Sequence, residues 1–230
     1  MLKSVVSVLF VFMSFQALAV QALVTKPMGP VKGLVVIAPA KKYLMQERLF
    51  SSLAEALVRQ GFLAVRFNWS LDTLQIPELE LQRAERDIQN VVLSTQRTFG
   101  IKPEQTILIS KSFSTKALTA SLSLAKSHIL LTPNCSADAP FYQTYKNVLH
   151  KTGISLKIVI SVDDPYCHVS EIYQTLNAIK RPQLLATTKG DHNFVVLDAT
   201  TKTPIYAFQD LVVRYVVDFI YRTNGLSTAH

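Results

Sequence analysis

Glycine is scarce in this chain: there are seven in 230 residues, and none between Gly100 and Gly153. Cysteine is limited to Cys135 and Cys167, too few to build a structural zinc site alone, and no His-rich spacing surrounds them to supply further ligands. Charge is sparse as well, at 17% of residues. Lys and Arg outnumber Asp and Glu by 24 to 16, yet the basic residues form no stripe interleaved with aromatics. The formal charge of +8 therefore reads as a basic surface with no nucleic-acid-binding motif behind it. Repeats and low-complexity tracts are absent. The apolar run from Ser4 to Phe15 falls short of the ~20 residues that span a bilayer.

What is present is apolar: 49% hydrophobic residues, enough for a well-buried core in one domain of this length. The first residues read as a leader rather than as part of the fold. Met1-Leu2-Lys3 supplies a positive start, Ser4 to Phe15 an apolar stretch, and Ala17-Leu18-Ala19 the small residues of a cleavage site. This predicts a secretory signal peptide over residues 1–19, cut after Ala19 or alternatively Ala22, and a single mature domain over 20–230. An uncleaved N-terminal anchor is the competing reading. No cysteine follows the cleavage region, which argues against a lipid-anchored N-terminus. Export, to the periplasm or the exterior, would place Cys135 and Cys167 where a disulfide is permitted.

Along the mature chain, apolar runs alternate with helical periodicity. Val20 to Pro30 is a short arm, with an edge strand as one option. Continuous apolar runs predict strands at 32–38, 62–67, 106–109, 128–132, 156–162 and 183–187. Between them, helical spacing predicts helices over 46–60, with Leu49, Phe50, Leu53, Ala54, Leu57 and Val58 on one face, and over 78–99, with Ala84, Ile88, Val91 and Val92. Further helices are expected after the third strand through about Lys126, around 169–179, and from about Pro204 to Arg222. The last has an apolar face that begins at Ile205. Strict alternation implies a mostly parallel sheet covered by helices on both faces, a three-layer α/β sandwich without a cap domain. In such sheets chemistry gathers at the carboxyl ends of the strands.

One of those ends carries the segment Thr106 to Leu118, in which a strand stops at a serine and a helix starts at once. This is the pattern of a nucleophile elbow presenting Ser112, although Ser110 and Ser114 stand where glycines usually flank the nucleophile. Two other strand ends carry Asp163-Asp164-Pro165-Tyr166-Cys167-His168 and Lys189-Gly190-Asp191-His192-Asn193-Phe194. A serine hydroxyl needs a neutral imidazole to take its proton and a carboxylate to orient that imidazole. Each residue has an ordinary alternative: Ser112 as a helix cap, Asp164 as a turn starter before proline, His192 as a loop residue. Their order and their placement at three strand ends point to a Ser-His-Asp triad.

With these motifs the chain resembles a compact α/β-hydrolase of the dienelactone-hydrolase-like neighbourhood. It particularly resembles the branch that includes a regulatory subunit of a chromatin-modifying complex. The likeness runs from about Gly33 to Phe194 and rests on Val162-Asp163-Asp164-Pro165-Tyr166, on Lys189-Gly190-Asp191-His192-Asn193-Phe194, and on the run Leu53 to Phe62. It implies Asp164 rather than Asp163 as the acid, His192 rather than His168 as the base, and a backbone oxyanion site from Phe113 together with Ala40 or Lys41. The sequence departs from that pattern after the first strand, where Ala38-Pro39-Ala40-Lys41 replaces a His-Gly loop, and at the elbow.

The expectation is an exported serine hydrolase that cleaves an ester or related acyl bond and needs neither metal nor organic cofactor. The alternative is a catalytically impaired binding protein on the same fold. Trp69, Lys111 and Tyr166 are expected around the pocket. Lys41, Lys42 and Lys111 would favour an anionic small-molecule substrate, unless they form only a solvated basic rim. Cys135 and Cys167 fall just beyond the ends of neighbouring strands in this fold, within reach of a disulfide that would pin the acid loop. No nucleic-acid partner is expected, and the oligomeric state is left open.

Overall fold

The computed structural model describes residues 8–9, 20–41, 44–70, 77–135 and 140–223. The expected leader, residues 1–19, lies outside the described residues apart from Val8–Leu9 (β1), which pairs antiparallel with Ala22–Thr25 (β2). Gly33–Ala38 (β3), Phe62–Phe67 (β4), Thr106–Ser112 (β5), Ser127–Pro133 (β6), Ser155–Ser161 (β7) and Leu185–Thr188 (β8) complete the main sheet. Its order is β1-β2-β4-β3-β5-β6-β7-β8. From β4 to β8 every pairing is parallel; β2 closes one side antiparallel to β4.

The central strands are buried on both faces because their side chains alternate into two cores. Leu34, Val36, Leu108, Leu130, Ile158 and Ile160 face one side, where Pro77–Phe99 (α2), Phe113–Ala117 (α3), Phe141–His150 (α4) and Val169–Ala178 (α5) pack. Val35, Ile37, Ile107, Ile109, Ile129, Leu131 and Val159 face the other, against Arg48–Arg59 (α1) and Ala207–Thr223 (α6). The structure is thus the expected three-layer arrangement. Helix α1 buries the six apolar residues read from its periodicity, and Gly61 accepts φ +93° to turn the chain into β4.

The structure corrects three of the sequence expectations. The helix after β5 is short: α3 ends at Ala117 and continues as a 3₁₀ stretch, Leu118–Leu124, since its serine- and threonine-rich sequence has weak α propensity. The longer connection between β6 and β7, for which no helix is read from the sequence, contains α4, whose Phe141, Tyr145, Val148 and Leu149 are buried. The last helix starts at Ala207, not near Pro204. Pro204–Ile205 (β10) instead pairs with Val196–Leu197 (β9), and Ile205 is exposed rather than on the buried face. Its apolar periodicity ran on through a hairpin strand.

Candidate active site

Because β5, β7 and β8 are parallel, their carboxyl ends open on one edge of the sheet, and the three predicted side chains come from that edge. Ser112 is the last residue of β5 and immediately precedes α3. Its backbone sits at φ 52°, ψ −114°, a conformation that L-residues rarely adopt, and the β5–β6 register shifts between Lys111 and Ser112. The sharp turn of a nucleophile elbow therefore forms without flanking glycines.

The two serines in the glycine positions behave differently. Ser114 Oγ accepts the Lys111 N–H at 2.7 Å and lies 3.0 Å from both the Ala38 and Lys111 carbonyls, either of which can take its proton. It cross-braces the elbow to the end of β3. Ser110 is fully buried, and its Oγ has no partner among the described residues. Behind Ser112, Thr115 Oγ1 donates to the Ser112 carbonyl and lies 2.6 Å from the buried Tyr145 hydroxyl, which in turn donates to Asn134 O at 3.1 Å.

Asp164 is held firmly. Its Oδ1 accepts the N–H groups of Tyr166 (2.8 Å) and Cys167 (3.3 Å), and its Oδ2 faces His192 Nδ1 at 2.8 Å. Both side chains are buried, and Tyr166 packs edge-on against the imidazole with ring centroids 4.8 Å apart. Cys167 is bonded to Cys135, with Cα atoms 5.1 Å apart, so the disulfide ties the acid loop to the end of β6. Asp163 and His168 are exposed and lie outside this pairing.

The histidine loop depends on Gly190 and Asp191. Gly190 sits at φ +108°, and a Cβ there would fall 2.8 Å from the backbone at Phe194 and Val195. Its carbonyl accepts from the Ser161 hydroxyl. Asp191 Oδ1 accepts the N–H groups of Asn193 and Val195, closing the loop over itself. Phe194, fully buried, anchors it in the core. Sequence reading matched this segment as a motif but did not identify Asp191 as the residue that shapes it; the Asp-x-Asn-Phe spacing of an Asx-type turn was the available signal.

Among the described residues no hydrogen bond joins Ser112 Oγ to His192. Phe113 is the first residue of α3, and the loop after β3 lies beside the elbow because Ala38 pairs with Ser110. Ala40 is buried, and its carbonyl accepts from Trp69 Nε1 at 3.3 Å. Trp69 stacks edge-on to Phe67 and Phe113, with centroids 5.1 and 5.9 Å apart.

The three lysines named from the sequence differ in their surroundings. Lys41 Nζ is 2.6 Å from the mostly buried Glu80 carboxylate. Lys42 lies outside the described residues. Lys111 turns to the α1 side of the sheet, beside Glu47, Leu49 and Phe50, as period-two alternation from Ile109 requires. It is 3% exposed and donates from Nζ to His192 O (2.9 Å), Asn193 Oδ1 (3.1 Å) and Thr132 Oγ1 (3.3 Å). Burial pushes its pKa down to about 8, opposed by the charges of Asp164, Asp191 and Glu47. Among the described residues no group of His, Cys, Asp and Glu could hold a metal ion, and no helix is long and apolar enough to cross a membrane.

No protein-family model matches the sequence, and no curated protein matches it. Solved structures do. A serine hydrolase homologue from Coxiella burnetii superposes with a TM-score of 0.67 at 16% identity, covering 95% of this chain and 98% of that one. A lid-free α/β serine hydrolase from Xanthomonas campestris gives 0.68 at 12% identity, with 96% of each chain covered. Esterase 2 from Thermogutta terrifontis, in its paraoxon-phosphorylated form, gives 0.66 at 12% identity over 98% of this chain and 96% of that one. Likeness at nearly full length in both directions, together with the parallel sheet and its two helical layers, establishes that this chain has the α/β-hydrolase fold.

Proposed function

We propose that this protein is a serine hydrolase that cleaves an ester or related acyl bond through Ser112, His192 and Asp164. The observation that carries the proposal is the buried His192–Asp164 pair at 2.8 Å, on the same sheet edge as a serine in a strained strand-to-helix turn. In this reading His192 Nε2 takes the proton of Ser112 Oγ as the oxygen attacks the acyl carbon. Asp164 keeps Nδ1 protonated and stabilises the imidazolium. The N–H of Phe113 and one from Ala40 or Lys41 receive the negative charge that develops on the carbonyl oxygen. His192 then protonates the leaving group, giving an acyl-serine, and activates water to hydrolyse it. Hydrogen bonds between nucleophile and base are often long before substrate binds and tighten in the complex.

The motif resemblance to the dienelactone-hydrolase-like branch supports the same reading, as does the leader for an exported protein whose Cys135–Cys167 bond suits an oxidising compartment. Lys41 is ion-paired with Glu80 and Lys111 is buried, so these two lysines lend an anionic substrate no support. A short acyl ester is the substrate class proposed, with Trp69 and Tyr166 as apolar surface beside the reacting atoms. Fluorophosphonates phosphonylate an activated serine with loss of fluoride, and the Thermogutta esterase is phosphorylated by the related organophosphate paraoxon. Labelling of the mature protein that is lost in Ser112→Ala is the expected result. A folded wild-type protein that stays unlabelled would refute the hydrolase and leave a binding protein on the same fold.

A further inference from the structure

The residue before the nucleophile carries a buried ammonium that the proposed chemistry does not use. Taking a lysine out of water costs several kcal/mol, and an apolar side chain could fill the same space without that cost. Here the ammonium is met by three acceptors: the backbone carbonyl of His192, the side-chain carbonyl of Asn193 and the hydroxyl of Thr132. Two of the three belong to the histidine loop, 81 and 82 residues away in the chain. The same loop is tied from α6, where the buried Gln209 Nε2 donates to Asn193 O at 2.9 Å. Lys111 and Ser112 are covalent neighbours, so a bond from Lys111 to His192 fixes the loop relative to the strand that carries the nucleophile.

We infer that Lys111 is a positioning residue for His192, its ammonium locking the histidine loop to the nucleophile strand. The inference rests on the catalytic reading above but concerns a contact that this reading does not require. Lys111 does not touch substrate in this role. It lies on the α1 side of the sheet, beside a cleft of about 170 Å³ lined by Glu47, Leu49, Phe50 and Tyr206. A displacement of about 1 Å in the base can cost on the order of 10²-fold in rate, so the anchor acts on reactivity well beyond its share of stability.

The test compares wild type, Lys111→Met and Asn193→Ala by fluorophosphonate labelling rate and by the downfield proton resonance of the His192–Asp164 hydrogen bond. Lys111→Met is expected to label about 10²-fold more slowly and to broaden or lose that resonance; Asn193→Ala moves both in the same direction by less. Wild-type labelling and an unchanged resonance in folded Lys111→Met would overturn the inference. Should Lys111→Met fail to fold, Asn193→Ala decides in the same way, because it removes one Lys111 acceptor from a half-buried loop position. If wild type itself does not label, the hydrolase reading fails, and the resonance comparison still judges the anchor on its own.

Discussion

His192 Nδ1 lies 2.8 Å from Asp164 Oδ2, and the other oxygen of that carboxylate accepts two backbone N–H groups from its own loop. The imidazole is thus oriented by a group that is itself fixed. Asp164→Asn keeps the shape but favours the wrong tautomer, and labelling or turnover should fall by about 10⁴-fold with little change in melting temperature.

The elbow serines should separate by their partners. Ser114→Ala removes the brace between Lys111 and Ala38 and should destabilise by about 1–2 kcal/mol, because it deletes a buried hydroxyl that accepts the Lys111 N–H and reaches the Ala38 carbonyl. Ser110→Ala deletes a buried hydroxyl with no partner among the described residues and should be neutral or slightly stabilising. Denaturant midpoints of the two variants decide this; a larger loss in Ser110→Ala would show that its hydroxyl is satisfied.

Gly190 has no room for a side chain: a Cβ would meet the backbone 2.8 Å away, at a φ of +108°. Gly190→Ala should therefore shift the histidine loop and abolish most labelling while the rest of the fold persists. Far-UV circular dichroism alongside the labelling rate checks both halves of that expectation.

The Cys135–Cys167 bond closes a loop with a sequence separation of 32. By chain entropy this contributes about 3–4 kcal/mol, so the double variant Cys135→Ser/Cys167→Ser should melt well below wild type. Because Cys167 N–H also supports Asp164, the variant should label more slowly even below its melting point. Equal labelling rates would show that the acid loop keeps its place without the bond.

Acid stability should depend on His128. This ring is buried, and its Nε2–H donates to Ala125 O at 2.9 Å; burial lowers its pKa below 6.5 despite that bond. Between the folded and unfolded values the unfolded chain binds more protons. Its contribution to stability is therefore fully present above pH 6.5 and is lost as pH falls below that value. Urea titrations from pH 7.5 to 5 should show a shallower decline in His128→Gln than in wild type.

Much of the fold follows from patterns within the chain. Continuous apolar runs such as Leu34 to Ile37 and the helical spacing from Leu49 to Val58 predict burial on two faces or on one, and the structure shows both. Strand-helix alternation fixes a parallel sheet, and a parallel sheet aligns its carboxyl ends, which is why Ser112, Asp164 and His192 could be placed on one edge from the sequence. Helix α4 was legible in principle, since Phe141, Tyr145, Val148 and Leu149 recur at helical spacing and are the residues that packing buries.

Lys111 shows where the sequence runs out. Its type and its place beside Ser112 suggest a cation at a pocket, whereas the side of the sheet it faces and its three acceptors depend on how β5, β6 and the loop after β8 are registered in space. The same holds for Ser114, whose hydroxyl reaches a carbonyl 76 residues earlier, and for the disulfide. Periodicity records which side chains must leave water, because burial repeats with the geometry of the element. Hydrogen-bond partners distant in the chain leave no such repeat, and only the tertiary structure decides them.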